Sequence, residues 1–297
     1  MPATTLAAAE RPDLFAVPKR RTGVLGFLIG NPRITIGGGM LVLIVLMAIS
    51  APLLATHDPL SLAPWLRARF PSAEHWFGTD MLGRDIYSRV IYGARVSLTV
   101  GISVAVLTSV IGLFIGLIAG YLRWADGILM RIMDGLMAIP SILLAVALMA
   151  LTQGSMVNVI IAVTIADIPR MCRLVRGVVL SAREQPYVEA AVATGTRTHV
   201  IIRRHILPNT LAPMIVQATY ICASAMIVEA ILSFIGAGTP PTTPSWGNIM
   251  AEGRALWQIK PFIVFFPAVF LSVTVLAVNL LGDGLRDLLD PRAATRT

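Results

Sequence analysis

The feature that most constrains this chain is a series of apolar runs, most of them long enough to cross a lipid bilayer. A helix of about 20 residues spans the hydrocarbon core of a bilayer, which is about 30 Å thick. The runs lack the polar alternation of barrel strands, so they favour helices. We therefore predict an all-α, polytopic membrane bundle with about six transmembrane helices. The predicted spans are residues 34–54, 97–121, 132–151, 156–168, 211–235 and 261–281.

Composition supports a membrane protein and excludes a soluble enzyme. Hydrophobic residues make up 56% of the chain and charged residues 13%, whereas a typical soluble domain carries about 25% charged residues. A polar surface large enough to solvate a soluble fold is therefore missing. The two cysteines, Cys172 and Cys222, stand 50 residues apart in or beside apolar stretches. That spacing favours two packed thiols over a disulfide framework.

The distribution of basic residues predicts the orientation of the chain, whose net charge is +8. Of the 24 Lys and Arg residues, 17 fall on the side of the predicted bundle that holds the segment 1–33 and the loop 170–209, and 7 fall on the other side. Because positively charged loops stay in the cytoplasm, we predict that both chain ends are cytoplasmic. The basic residues form no stripe with interleaved aromatic side chains, so we expect no nucleic-acid partner.

The loop 170–209 carries the signals of two short helices joined by a turn. Pro186 suits the first turn of a helix, the run 189–191 is strongly helix-forming, and Gly195 fits a helix stop. A second amphipathic piece covers residues 198–207, after which Asn209 is a candidate N-cap for the next span. By these residues alone, the first helix either docks into a partner's groove or links two spans.

The same loop contains the run E-A-A-x-x-x-G, which is followed, after nine further residues, by H-I-L-P-N. This pattern resembles the EAA loop of ABC-importer permeases. The resemblance implies that the loop forms the coupling helix that docks into a groove on a cytoplasmic ATPase. The coupling positions that it identifies are Glu189, Ala190, Ala191 and Gly195, with Pro208 and Asn209 completing the pattern.

Three further segments resemble the C-type permease subunits of dipeptide and oligopeptide ABC importers. These subunits belong to the binding-protein-dependent transport inner-membrane component family. The segment 75–98 begins H-W-F-G-T-D-M-L-G-R-D, the segment 229–250 contains G-A-G-T-P-P-T-T-P-S-W-G-N, and the segment 279–292 reads N-L-L-G-D-G-L-R-D-L-L-D-P-R. The first 30 residues match no part of the family pattern.

The resemblance implies a permease that works by alternating access and needs several partners. These are a second permease subunit in a heterodimer, two cytoplasmic ATPase subunits, an external or periplasmic substrate-binding protein, and membrane lipid. The implied location is the inner (plasma) membrane of a bacterium. Di- or oligopeptides are the implied substrate, and nickel, glutathione or opines are alternatives within the same family.

This reading divides the chain into four parts. We expect a cytoplasmic N-terminal segment (1–33), a first transmembrane helix with an external loop (34–96), an ABC-importer transmembrane domain (97–285) and a cytoplasmic tail (286–297). The transmembrane domain includes the loop 170–209, which we call the coupling loop.

Besides Asp167, which stands at the end of the fourth predicted span, two carboxylates fall inside predicted spans. A charged side chain at the centre of a transmembrane helix costs about 2.5–3.5 kcal/mol on insertion scales, and such residues usually face the bundle or a watery path. Glu229 is therefore either a gate or pathway residue or a structural carboxylate. For Asp134 we expect an ion pair with Arg131, one turn away.

Other expectations concern prolines and tryptophans. Pro140 and Pro267 are interpreted as ordinary prolines of membrane spans rather than hinges. Trp246 and Trp257 are expected at the membrane interface.

Residues for conventional catalysis are missing from the sequence. A P-loop needs a lysine followed by Ser or Thr, but Lys19 precedes Arg20 and Lys260 precedes Pro261. The four histidines show no metal-ligand spacing, and no G-x-S-x-G run is present. We therefore expect no catalytic, cofactor or metal site, and a chain that is not an enzyme. A competing class is the ion-coupled secondary carrier, which would show inverted repeats and paired charges near mid-membrane.

Overall fold

The computed structural model describes residues 31–151 and 154–289. Most of the predicted N-terminal segment and of the predicted cytoplasmic tail lie outside these residues. Within the described ranges the chain is helical, and its β-structure is limited to one isolated bridge between Thr79 and Asp85. The prediction of an all-α fold is therefore confirmed.

Eleven α-helices form the described part of the chain. They are α1 (Pro32–Ile49), α2 (Ala51–Leu54), α3 (Ile86–Tyr121), α4 (Arg123–Ala138), α5 (Ser141–Ala150), α6 (Met156–Arg183), α7 (Pro186–Ala193), α8 (Thr198–Ile201), α9 (Leu207–Phe234), α10 (Trp246–Gly253) and α11 (Phe262–Leu289).

Four of the helical stretches described are long and apolar enough to cross a membrane. These are α1, α3, the continuous stretch from α8 through α9, and α11. The bent pair of α4 and α5 raises the number to five if the pair acts as one span. The predicted number of about six is therefore not reached by length and composition alone, because α6 carries too many charged residues along its second half.

The most extensive helix contact joins α3 to α6 along a line of glycines on α3. Gly112, Gly116 and Gly120 recur every four residues, so they share one face of the helix. A Cβ atom added to any of the three would lie 2.7 Å from a Cβ atom of α6. The α6 residues that fill this line are Met171, Val175 and Val179. Small residues thus let the two backbones approach closely, as in other membrane helix pairs.

The predicted fourth span, 156–168, is too short. The helix continues through Pro169 and ends at Arg183, so residues 170–183 of the predicted loop are helical. Proline weakens a helix because it removes one backbone hydrogen bond. Here the loss is offset by packing, since Val175 and Val179 are fully buried against α3.

The predicted third span, 132–151, is not one helix. It breaks at Pro140 into α4 and α5, whose axes differ by 87°. Ile139, the residue before the proline, has the extended values φ −96° and ψ 129°. Steric conflict with a following proline ring favours this conformation and disfavours a helical one. Pro140 therefore marks a sharp bend, whereas Pro267 lies inside the continuous helix α11.

The predicted break at Leu207-Pro208 is also wrong. A five-residue π-helical turn, Ile202–Ile206, joins α8 to α9 without interruption. Pro208 has no N–H to donate to the carbonyl of Arg204, and in a regular helix the proline ring would clash with that carbonyl. The wider π turn separates these groups. Asn209 consequently lies inside α9 and is not an N-cap.

Two hydrophobic clusters form the core. The first lies between α3, α5, α6 and α9 and includes side chains of α7 and α8. The second lies between α1, α3, α9, α10 and α11. Helix α10 falls within the loop predicted between residues 236 and 260, and its Trp246 is fully buried in the second cluster. Trp246 is therefore a core residue, contrary to the predicted interfacial position, whereas Trp257 is exposed.

We predict that Gly116→Val will separate α3 from α6 and destabilise the bundle. Overpacking of a close contact typically costs about 1–3 kcal/mol, so the melting temperature of the detergent-solubilised protein should fall by several degrees. Gly127→Val is the matched control, because no atom lies within 4 Å of a Cβ at that position. Equal melting temperatures for the two variants would contradict the close α3–α6 contact.

Candidate functional site

Two polar regions stand at opposite ends of α3, whose 36 residues extend about 50 Å. At the C-terminal end of α3, α6 ends and the α7–α8 hairpin begins, and we call this the hairpin end. At the N-terminal end of α3 lie residues 57–85 and helix α10, and we call this the network end.

The α7 helix closes with a complete Schellman motif. The N–H of Gly195 donates to the carbonyl of Val192 at 2.9 Å, and the N–H of Thr196 donates to the carbonyl of Ala191 at 3.0 Å. Gly195 has a φ of +75°, in the left-handed region that favours glycine. The predicted helix stop at Gly195 is therefore confirmed, and its backbone conformation explains why glycine stands there.

The hairpin is anchored by apolar side chains and by one polar contact. Val188, Ile201 and Ile206 are at most 2% exposed and belong to the first hydrophobic cluster. The Asn209 side-chain amide donates to the Tyr187 hydroxyl at 3.0 Å, which ties α7 to the start of α9. The hairpin is thereby fixed to the bundle.

The opposite face of the hairpin is open. Glu189, Ala190 and Gly195 are exposed, Ala191 is half-buried, and Val192 is 57% exposed. The four predicted coupling residues thus lie on one short helix and its cap, with small side chains on the outer surface. Such a surface permits close approach of another chain.

Glu189 also lines a polar cleft of about 300 Å³ between the hairpin and the junction of α3 with α4. Arg123 and Arg183 lie on the same cleft. Arg183 donates from Nη1 to the carbonyl oxygens of Gly120 and Tyr121 at 3.0 and 3.1 Å. These carbonyls stand at the end of α3, where a helix has no partners of its own, so Arg183 caps α3 from α6.

Ion pairs join α4 to α6 near the hairpin end. Arg176 binds Asp126 through two hydrogen bonds, an arrangement that fixes both side chains. Asp134 pairs with Arg173 of α6. The prediction that Asp134 would pair with Arg131 is therefore wrong, because a partner on the neighbouring helix takes its carboxylate.

The network end is built around a buried carboxylate. Asp80 is fully buried and accepts from the backbone N–H groups of Leu82 and Arg84 at 2.8 and 2.9 Å. It also accepts from the Arg84 side chain at 2.8 Å and from Arg89. Multiple donors of this kind offset the cost of burying a charge.

Glu252 of α10 completes this ion network. It accepts from Arg84 at 2.6 Å and from Arg89 Nη2 at 3.1 Å. Arg89 is 1% exposed and lies on α3, so two arginines and two carboxylates connect residues 80–89 to α10. The Trp246 indole N–H donates to the carbonyl of Val90 at 2.9 Å and holds α10 against α3.

Glu229 is fully buried near the network end of α9. It accepts a hydrogen bond from Ser233 at 2.8 Å, and the Thr239 hydroxyl lies 3.5 Å away. Asn248 donates to several oxygens of residues 239–243 and holds the loop after α9. The Ser233 and Thr239 contacts engage one carboxylate oxygen of Glu229, and its role as a gate stays a prediction.

Sequence reasoning missed the ion network. Asp80 and Arg89 stand in the segment 75–98, which carries the family resemblance, and Glu252 lies 163 residues beyond Arg89. The available signal is five charges, at positions 80, 84, 85, 89 and 95, directly before an uncharged span. Their pairing across the fold cannot be read from spacing.

We predict that Arg89→Met will destabilise the network end. Removal of one member of a buried ion pair leaves its partner charge uncompensated, which typically costs about 3–5 kcal/mol. Arg33→Met is the matched control, because the Arg33–Asp287 pair is 59% and 56% exposed and contributes little. Thermal unfolding in detergent measures the stability of both variants. Similar losses of stability in the two would contradict the network's role.

A family model described as "Binding-protein-dependent transport system inner membrane component" matches residues 112–295. A structure of the MetNI methionine ABC transporter in an inward-facing conformation has the same fold, with a TM-score of 0.55 and 21% identity. The match covers 70% of this chain and 97% of that one.

Relatives of known name are much more similar in sequence. A probable peptide ABC transporter permease of Sinorhizobium fredii is 53% identical, over 90% of this chain and 91% of that protein. A dipeptide transport system permease of Alkalihalophilus pseudofirmus is 46% identical, over 84% and 82%. A glutathione transport system permease of Pectobacterium atrosepticum is 45% identical, over 75% and 74%.

The family consists of membrane permease components, so the expectation that this chain is not an enzyme is confirmed. Its apolar helices make it a multi-pass membrane protein. The chain therefore belongs to the family of binding-protein-dependent transport system inner membrane components, as an ABC-transporter permease.

Proposed function

We propose that this chain is a permease subunit of a bacterial ABC importer for di- or oligopeptides, located in the inner membrane. The observation that carries the proposal is the α7–α8 hairpin, which is anchored in the core and exposes Glu189, Ala190 and Gly195. The hairpin end is cytoplasmic in this proposal, as the basic residues of the coupling loop favour.

The coupling hairpin docks into a groove on an ATPase subunit. Small residues such as Ala190 allow the backbone of α7 to approach the partner closely, and Val192 adds apolar contact. Glu189 supplies a charge at the rim of the contact, where polar groups are typical of protein interfaces. ATP hydrolysis occurs on the ATPase, since this chain has no P-loop.

The anchoring of the hairpin determines which helices a docked ATPase would move. Val188 packs in the first cluster, and Tyr187 binds Asn209 of α9. Helix α7 follows α6 after only two residues. Displacement of the hairpin is therefore passed to both α6 and α9. Alternating access results if these helices change their contacts with a second permease subunit.

A groove between α6, α9 and α11 is the candidate inner part of the translocation path. Its volume is about 440 Å³, and most of its lining is apolar. Gln217, Tyr220 and Arg286 contribute polar groups, and the Tyr220 hydroxyl donates to Asp283. A mostly apolar wall with few polar groups suits substrates with varied side chains.

The remaining partners are assigned to the two ends of the bundle and to its exposed helix faces. The substrate-binding protein docks at the network end, which is external in this proposal. A second permease subunit covers apolar side chains that α3 and α11 leave exposed, and lipid covers the rest. Exposed residues on these helices include Val106, Phe114 and Phe265. The relatives' names as ABC transporter permeases support partners of this kind.

Peptides are favoured as substrates because relatives at 53% and 46% identity are named for peptide and dipeptide transport. The glutathione permease at 45% identity keeps glutathione as the alternative. Glu229 is the proposed gate residue, since it binds Ser233, whose hydroxyl accepts from the backbone N–H of Thr239 in the loop after α9. Movement of α9 would alter that link.

We predict that Gly195→Pro will uncouple the permease. Proline fixes φ near −65°, whereas position 195 has φ +75°, so the Schellman cap cannot form. Co-purification of the ATPase should fall at least about tenfold, with membrane insertion unchanged. Gly195→Asn is the matched control, because asparagine tolerates this backbone region. Normal ATPase association and uptake in the Pro variant would refute the hairpin assignment.

We predict that deletion of the gene reduces uptake of a labelled dipeptide to background and that the intact chain restores it. The reason is that the substrate has no other path through this importer. Complementation with the Gly195→Pro chain is the negative control. If glutathione or nickel uptake falls while dipeptide uptake is unchanged, the substrate assignment moves to that alternative and the importer assignment remains.

A further inference from the structure

Three ligand-type side chains meet at the network end, outside the groove and the coupling hairpin. One ring nitrogen of His57, one ring nitrogen of His75 and one carboxylate oxygen of Asp85 lie within 4.8 Å of one another. The two imidazole ring centroids are 4.6 Å apart, with the planes tilted by 34°. The residues come from the start, middle and end of the stretch between α2 and α3.

The hydrogen bonds of His75 indicate which of its nitrogens is available. Its Nδ1 lies 2.9 Å from Asp85 Oδ1. Since a carboxylate can only accept, Nδ1 carries the proton, and in the neutral imidazole the lone pair is on Nε2. His75 is 4% exposed, and Nε2 is buried without a hydrogen-bond partner among the described residues. A buried acceptor without a partner is costly.

Asp85 is itself held in place. Its Oδ2 accepts from the backbone N–H and the hydroxyl of Ser88 at 2.8 and 2.7 Å, so it caps α3. A carboxylate that binds the far nitrogen of a histidine is the usual outer partner of a metal ligand, because it fixes the tautomer and raises the basicity of the ligating nitrogen. His75 and Asp85 have this arrangement.

His57 supplies a second imidazole from the other side. Its Nδ1 lies 3.1 Å from the Thr56 hydroxyl, and its backbone N–H donates to Ser88 at 3.1 Å. The residue is therefore positioned by α3, although it is only half-buried. Partial exposure gives a cation access from solvent.

We propose that His57 and His75 bind a divalent transition cation of the zinc class, with Asp85 orienting His75. Imidazole nitrogens suit Zn²⁺, Co²⁺, Ni²⁺ and Cu²⁺, whereas Mg²⁺ and Ca²⁺ prefer oxygen ligands. Water completes the coordination. The cation provides the missing partner for His75 Nε2.

The bound cation acts as a cross-link for the external stretch. It joins His57, just after α2, to His75 and so to the Asp85 cap of α3. Both cysteines lie in helices α6 and α9, so no disulfide can close this stretch. A metal ion is the other device by which short segments with little core are held together. Ligand binding to the folded state also raises its stability.

The test uses the full-length chain, purified in mild detergent with its associated proteins and with an affinity tag that contains no histidine. After treatment with a chelator and its removal, ZnCl₂ is titrated by calorimetry and the melting temperature is measured. We expect one saturable site per chain and a higher melting temperature with Zn²⁺. Addition of CoCl₂ should give the visible absorption of cobalt bound to nitrogen ligands.

Variants separate this site from adventitious binding. His57→Ala should abolish the site and the metal-dependent stabilisation, and its half-exposed position makes a folded variant obtainable. Asp85→Asn should weaken binding about 10–100-fold. His199→Ala, on the coupling hairpin, is the matched control and should bind as the unaltered chain does. Absence of saturable binding, or equal binding by the His57→Ala and unaltered chains, would overturn the proposal.

Discussion

The structure depends on the close contact between α3 and α6, which rests on three glycines of α3. Because a Cβ at Gly116 would overlap the Val175 side chain, the contact exists only while these positions have none. The contact places Arg183 beside the last carbonyls of α3 and so locates the hairpin that follows α6. The ion network at one end and the α7–α8 hairpin at the other therefore share α3 as their common support.

Much of the fold could be predicted because its signals are local. Long apolar runs identified α1, α3, α9 and α11, and Gly195 marked the end of α7 through a backbone conformation that favours glycine. The proposed coupling residues form a recognisable pattern because they are contiguous in sequence. Their exposure on a core-anchored hairpin agrees with the family resemblance.

The errors arose where tertiary contacts decide the outcome. The sequence suggests helix ends at Pro169 and Pro208, yet α6 continues past the first by packing against α3, and a π turn accommodates the second. Asp134 was paired with the nearest arginine in sequence, whereas Arg173 approaches from another helix. The links from Arg89 to Glu252 and from His57 to His75 involve distant residues without a motif. Only the three-dimensional structure identifies these two links.

The π turn at Ile202–Ile206 has a consequence for the phase of the helix. It accommodates one residue more than a regular helical turn, and each residue of an α-helix advances the side chains by about 100°. Loss of a single residue there would rotate α8, which is continuous with the turn, by about that angle relative to α9. The exposed face of the hairpin would then tend to point in another direction, although no residue outside the turn had changed. The number of residues in this turn thus sets the direction in which α8 leads into the exposed hairpin.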